Sequence, residues 1–289
     1  MSDEESGAGG AERASSGGGS ALKALISFFT IWHMDIDERD MNEMERNFGL
    51  IPFVGVLFGV VIMIVMAIFC YVNKTQGFGS GMFYAVLVLA IVYVGSKFIH
   101  FDGLTDFGDG MIVSGTQEDH VRALKDTLVG AGGIGVALIV VLLSVSIYGI
   151  AGLMLIVFAP IAEILVKNAM VAAAAYGKPG NGMAARQVSL TTTHSLIVST
   201  VLSLVLSIVL GIVAGLIYNA MYPNVIELVS VLFCIVFGTV VSILVGYLMA
   251  RKANSVFGMV NGDILGATNE ISRPAIMFVM ILPYICWLW

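Results

Sequence analysis

Residues 82–110 read MFYAVLVLAIVYVGSKFIHFDGLTDFGDG. An apolar run from Met82 to Ile99 is followed at once by Asp102, Asp106 and Asp109, in a chain of which only 12% is charged. A run of this kind reads as a membrane helix, because about 20 mainly apolar residues cross the hydrocarbon core. On a helix, offsets of four and seven residues put the three carboxylates on one face, within roughly 60° of each other. Like charges on one stripe repel unless a cation sits among them. Mg2+ or Mn2+, which prefer hard oxygen ligands, are therefore expected at Asp102, Asp106 and Asp109.

The rest of the composition agrees. Hydrophobic residues make up 58% of the 289 positions and the mean hydropathy is +0.95, above the roughly 45–50% apolar content of soluble domains. The fold class is an all-α, polytopic integral membrane helical bundle. Cys70, Cys234 and Cys286 all fall in apolar runs and read as small buried or lipid-facing side chains. A net charge of −6 gives no reason to expect nucleic acid as a partner.

Three regions follow from composition. Residues 1–20 are Gly, Ser, Ala and acidic residues and are expected to be a disordered tail, without the pattern of a signal peptide. Residues 21–50 form an amphipathic and charged segment: Ala21 to Trp32 suits an interfacial docking helix, and Asp35 to Asn47 suits a surface helix or a cover over substrate. Residues 51–289 are the transmembrane catalytic region. About seven spans are expected, with six to eight compatible, near 53–72, 82–99, 131–148, 150–175, 195–219, 225–249 and 274–289.

With those spans, Arg13, Lys23, Arg39, Arg46, Lys97, Arg122, Lys125, Lys178, Arg186, Arg251, Lys252 and Arg273 share one side, and only Lys74 lies on the other. Excess Lys and Arg mark the cytoplasmic face. The expectation is a cell (inner, cytoplasmic) membrane protein with its N-terminus and its aspartate cluster in the cytoplasm.

Other polar groups join the cluster as candidates. His100, Arg122, Lys125 and Asp126 flank it. Glu163 and Lys167, four apart in the fourth span, suggest a helical ion pair, and ionisable residues inside a membrane usually face a cavity. Asp263 and Glu270 are seven apart and share a helix face. The sequence Gly130-Ala-Gly-Gly-Ile-Gly135 fits a dinucleotide-binding fingerprint, but no strand precedes it, so helix packing through small residues is the reading.

The pattern Asp102-Gly-Leu-x-Asp106-x-x-Asp109-Gly, with His100 two residues upstream, resembles the signature of the cobalamin synthase family, integral membrane adenosylcobinamide-GDP ribazoletransferases. Phe28-Phe29-Thr30 with Pro52 and Gly55, Lys125-Asp126-Thr127 with Gly130 and Gly133, and Gly262 to Ala267 with Glu270 extend it over about residues 25–275. The chain departs from the family pattern at Ile31-Trp32-His33 and by having Lys167 in place of Arg, which lacks the bidentate guanidinium fork. The Asp106–Gly110 core is also similar to the start of the CDP-alcohol phosphotransferase motif.

The resemblance implies a transferase of cobalamin biosynthesis that joins adenosylcobinamide-GDP to α-ribazole or its 5′-phosphate and releases GMP. It implies magnesium at Asp102, Asp106 and Asp109, and catalytic duties among Asp109, Asp126 and Asp263. His100, Arg122, Lys125, Lys167 and Glu270 are implied as substrate-binding. The lipid bilayer is a partner, and self-association into a homo-oligomer stays open. Alternatives are another magnesium-dependent membrane phosphotransferase or prenyltransferase and, further off, a cation transporter.

Overall fold

The computed structural model describes residues 17–182 and 184–287, with side chains to Pro283. Twelve α-helices carry the described chain: α1 Gly17–Phe29, α2 Glu38–Arg46, α3 Pro52–Gln76, α4 Gly81–Gly95, α5 Ile99–Ile112, α6 Gln117–Leu124, α7 Ala131–Ala151, α8 Leu155–Tyr176, α9 Ala184–Leu190, α10 Thr193–Met221, α11 Leu228–Val256 and α12 Gly262–Trp287. One isolated β-bridge joins Pro179 to Val260.

The centre is α8, buried at every position from Leu155 to Ala174. A helix buried around its whole circumference is enclosed by others, here α3, α10, α11 and α12. Two glycines set the closeness of that packing. A Cβ on Gly55 of α3 would lie 2.4 Å from the Glu163 carbonyl oxygen, and one on Gly246 of α11 would lie 2.4 Å from that of Ala169. With no side chain there, backbone meets backbone, which is how helices associate where lipid removes the hydrophobic drive.

Four stretches among the described residues are long and apolar enough to cross a membrane, or up to five if a bent pair is one span. One of them, Ala131–Tyr176, has 46 residues. Straight, it would be about 69 Å long, more than twice a hydrocarbon core of about 30 Å. It is two helices, α7 and α8, and the chain reverses direction between them near Gly152, where φ is +55°. The first turn of α7 lies against Thr105 and Asp109, its last turn meets Gly81, and the end of α8 returns to Val260.

The seven expected spans correspond to α3, α4, α7, α8, α10, α11 and α12, with two corrections. The second ends at Gly95 and not at Ile99. Lys97 and Phe98 take left-handed φ values of 55° and 57°, uncommon for non-glycine residues, and the chain bends by 94° into α5. The aspartates therefore ride on a helix that runs across the polar end of the bundle. The seventh begins at Gly262 and not at 274. Its first half carries Asp263, Glu270 and Arg273, and Arg273 is a buried residue of α12 and not part of a charged loop.

The expected docking helix is α1, but its buried side, including Ala21, Ala24 and Leu25, packs on α2 and α3. It starts at Gly17, so the last four residues of the expected disordered tail are helical, while positions 1–16 lie outside the described residues. Asp37 and Asp40 form a capping box on α2, and Lys23 of α1 pairs with Asp40 at 2.9 Å. The Ser20 hydroxyl and the Lys23 ammonium hold Asp40 down at about 2. Cys70 and Cys234 are buried thiols, as expected.

Candidate active site

The site exists because α5 and α12 cross at two glycines. A Cβ on Gly103 would sit 2.7 Å from the Asp263 carbonyl oxygen, and one on Gly266 would sit 3.2 Å from the His100 backbone. This close crossing carries Asp102 of α5 and Asp263 of α12 into one cavity of about 460 Å³. Phe28 and Phe29 of α1, Met41 and Met44 of α2, and Met170 of α8 form its apolar wall. Lys125, Asn181, Gln187 and Asn261 add polar groups, and Glu45 stands at the α2 edge.

Electrostatics marks the carboxylates as one group. Burial and then the neighbouring charges of Asp263, Asp102 and Asp109 push Asp106 up to about 7. Asn261 Nδ2 donates to Asp263 Oδ2 at 2.7 Å. Asp109 has a different position. Its carboxylate accepts from the backbone N–H groups of Gly130 (2.6 Å) and Gly133 (2.8 Å), so it caps α7, whose first N–H groups have no intrahelical acceptor. The glycine-rich motif thereby gains a reason. A Cβ on Gly130 would fall 2.5 Å from the Asp109 carboxylate.

His100 forms part of the cavity floor, is buried and stacks on Phe29 at 5.6 Å with rings 5° from parallel. Neither ring nitrogen has a hydrogen-bond partner among the described residues. Burial, with Lys167 and Arg273 nearby, holds it well below the ordinary histidine value and therefore neutral. Lys125 is exposed at the cavity edge.

The remaining sequence candidates lie elsewhere. Arg122 is exposed and pairs with Asp119. Asp126 accepts from the Leu128 N–H at 3.0 Å and shapes a loop. Lys167 and Glu270 are buried beneath the cavity in a network that the sequence reading did not anticipate. Lys167 donates to Asn269 at 2.7 Å, Asn269 to Glu270 at 2.9 Å, and Arg273 binds both Glu270 and Glu163, the latter at 2.9 Å. Glu163 therefore pairs with Arg273 across helices and not with Lys167 along its own. The three-residue spacing of Glu270 and Arg273 was the available signal. The cavity wall from α1, α2 and α8 carried no local signal, because only tertiary packing brings those side chains together.

Among the described residues, no three His, Cys, Asp or Glu side chains converge closely enough to hold a metal ion by themselves. The donor set still suits magnesium, which commonly takes one or two carboxylates and completes its shell with water and phosphate oxygens.

Helices that bury an ionic network and gather carboxylates from two elements at one polar end define an integral membrane bundle with a carboxylate-lined cavity. The chain belongs to the family described as cobalamin-5-phosphate synthase, which matches residues 21–281. It is similar to the adenosylcobinamide-GDP ribazoletransferases of Methanococcoides burtonii (28% identical, covering 90% of this chain and 91% of the relative) and Methanocella arvoryzae (30%, 90% and 94%). That of Pyrococcus abyssi is 30% identical over 68% of this chain and 75% of its own length. No solved structure matches.

Proposed function

We propose that this protein joins adenosylcobinamide-GDP to α-ribazole or its 5′-phosphate with release of GMP, as the names of its relatives describe. The observation that carries the reading is the convergence of Asp102 and Asp263 beside Lys125 in one cavity at the polar end of the bundle. A diphosphate needs opposed positive charge, and Lys125 offers a charged donor to its oxygens. Asp102 and Asp263, with Asp106 behind them, would hold magnesium jointly with the diphosphate. When bound, the ion would neutralise charge that develops on the leaving phosphate. Asp109 and Asp126 orient backbone here. The apolar wall of Phe28, Phe29, Met41 and Met44 suits a benzimidazole base.

The reading is tested with protein in detergent or vesicles, adenosylcobinamide-GDP and α-ribazole. GMP release that depends on magnesium and stops with chelator is expected, and folded protein that releases no GMP contradicts it.

Localisation in the inner, cytoplasmic membrane, with the cavity on the cytoplasmic side, is part of the proposal. With Arg273 removed from the charge count, the remaining Lys and Arg bias still points that way. A cysteine introduced in place of Lys178 is expected to resist an impermeant maleimide in intact cells; rapid labelling from outside would reverse the orientation.

A further inference from the structure

A second hollow of about 290 Å³ adjoins the cavity, and the two share Lys125 and Asn181. Its remaining wall comes from Gln117 and Val121 of α6 and from two backbone turns at Pro179–Gly180 and Phe257–Met259. These turns are stitched together: Val260 N–H donates to the Lys178 carbonyl at 2.7 Å, and Gly180 N–H to the Val260 carbonyl at 3.3 Å. Gly258 has φ +71°, and a Cβ there would fall 2.2 Å from Gln117 Nε2, so glycine is what admits the amide. Gln117 donates to the Phe257 carbonyl at 3.3 Å and keeps its amide oxygen as an acceptor. Asn181 is exposed and has no side-chain hydrogen bond among the described residues.

Resting on the proposed transfer reaction, we infer that this second hollow receives the leaving nucleoside monophosphate, GMP, while the larger cavity holds the attacking ribazole. Displacement at phosphorus places the entering and leaving oxygens roughly in line, so the two groups need separate places on either side of the phosphorus. Lys125, common to both hollows, marks where that phosphorus lies. The ribazole hydroxyl oxygen forms a bond to the phosphorus attached to cobinamide, and the bond from that phosphorus to the bridging oxygen breaks. The bridging oxygen leaves on GMP with the electron pair, and the hydroxyl proton passes to water. The division follows the linings. The cavity sets Phe28, Phe29, Met41 and Met44 around a benzimidazole, whereas the hollow, with a single Phe and a single Met, sets the Gln117 and Asn181 amides and the backbone of its two turns against a guanine edge and a ribose.

The test uses full-length protein in vesicles open to reagent, with GMP and α-ribazole as separate probes and the parent protein as the blank for its own thiols. GMP is expected to slow maleimide labelling of a Gln117→Cys variant, and α-ribazole that of a Met44→Cys variant, with neither ligand protecting the other position. Gln117→Leu, which removes the amide acceptor from the guanine edge, should weaken product inhibition by GMP about tenfold, the loss of one hydrogen bond, with the KM for α-ribazole changed less than about twofold. Protection of the Met44→Cys thiol by GMP, or no protection of the Gln117→Cys thiol in protein that still turns over, overturns the inference and leaves the transfer reaction standing. Absence of GMP release from the parent protein would instead remove the reaction itself.

Discussion

Gly103→Leu should lower turnover by at least about 100-fold, the scale expected when reacting groups are displaced by an ångström or so, while the protein still inserts in the membrane. A Cβ on Gly103 alone would press to 2.7 Å from the Asp263 carbonyl oxygen and 2.9 Å from its Cα. Both are backbone atoms of a packed helix and cannot rotate away, so α5 must lift from α12. Asp102 and Asp263 then separate. The membrane spans are unaffected, because α5 runs across the end of the bundle. Activity is checked by GMP release and insertion by the yield and monodispersity of purified protein. Near-normal turnover would mean that the crossing does not set the site.

Arg273→Met should produce the largest loss of stability. Arg273 is wholly buried and binds Glu163 and Glu270, which are also buried, and its guanidinium lies 5.5 Å from the Tyr93 ring centre. Removing one member of such a group strands charge in an apolar interior, a cost of about 3–5 kcal/mol. The expected result is protein that fails to accumulate or melts far below the parent in a thermal unfolding assay. Arg273→Lys keeps the charge without the planar fork and should fall between the two. A melting temperature for Arg273→Met equal to the parent's would show that the network contributes little. The effect reaches the site because the same network fixes α12 against α8, and Asp263 begins α12.

What the sequence made legible follows from which constraints are local. Membrane thickness acts on each apolar run separately, so the runs that became α3, α7, α8, α10 and α11 could be read in isolation. The bend at Lys97 and Phe98 could not, because left-handed backbone at non-glycine residues has no compositional mark. Asp102 and Asp106 were legible as a repelling stripe, and Asp263 as part of a polar helix start. Asp109 shares that stripe, but its capping of α7 depends on free N–H groups supplied 21 and 24 residues later. Glu163 and Lys167 have the spacing of an intrahelical pair, yet the guanidinium of Arg273 approaches from α12 with better geometry. Arg273 itself, next to Pro274, looked like the end of a loop. The second hollow depends on the bridge between Pro179 and Val260, a contact across about 80 residues that no local pattern announces.

If carboxylates from α5 and α12 act together at one cavity, the magnesium dependence of GMP release will differ between the parent, Asp263→Asn and Asp109→Asn. Asp263→Asn should need about tenfold more magnesium for half-maximal release, on the scale of losing a group that supports a metal site. Asp109→Asn should keep the parent's magnesium dependence and instead lower the melting temperature, because its carboxylate caps α7. A magnesium dependence unchanged by Asp263→Asn and shifted by Asp109→Asn would mean that the two helices do not share a metal site.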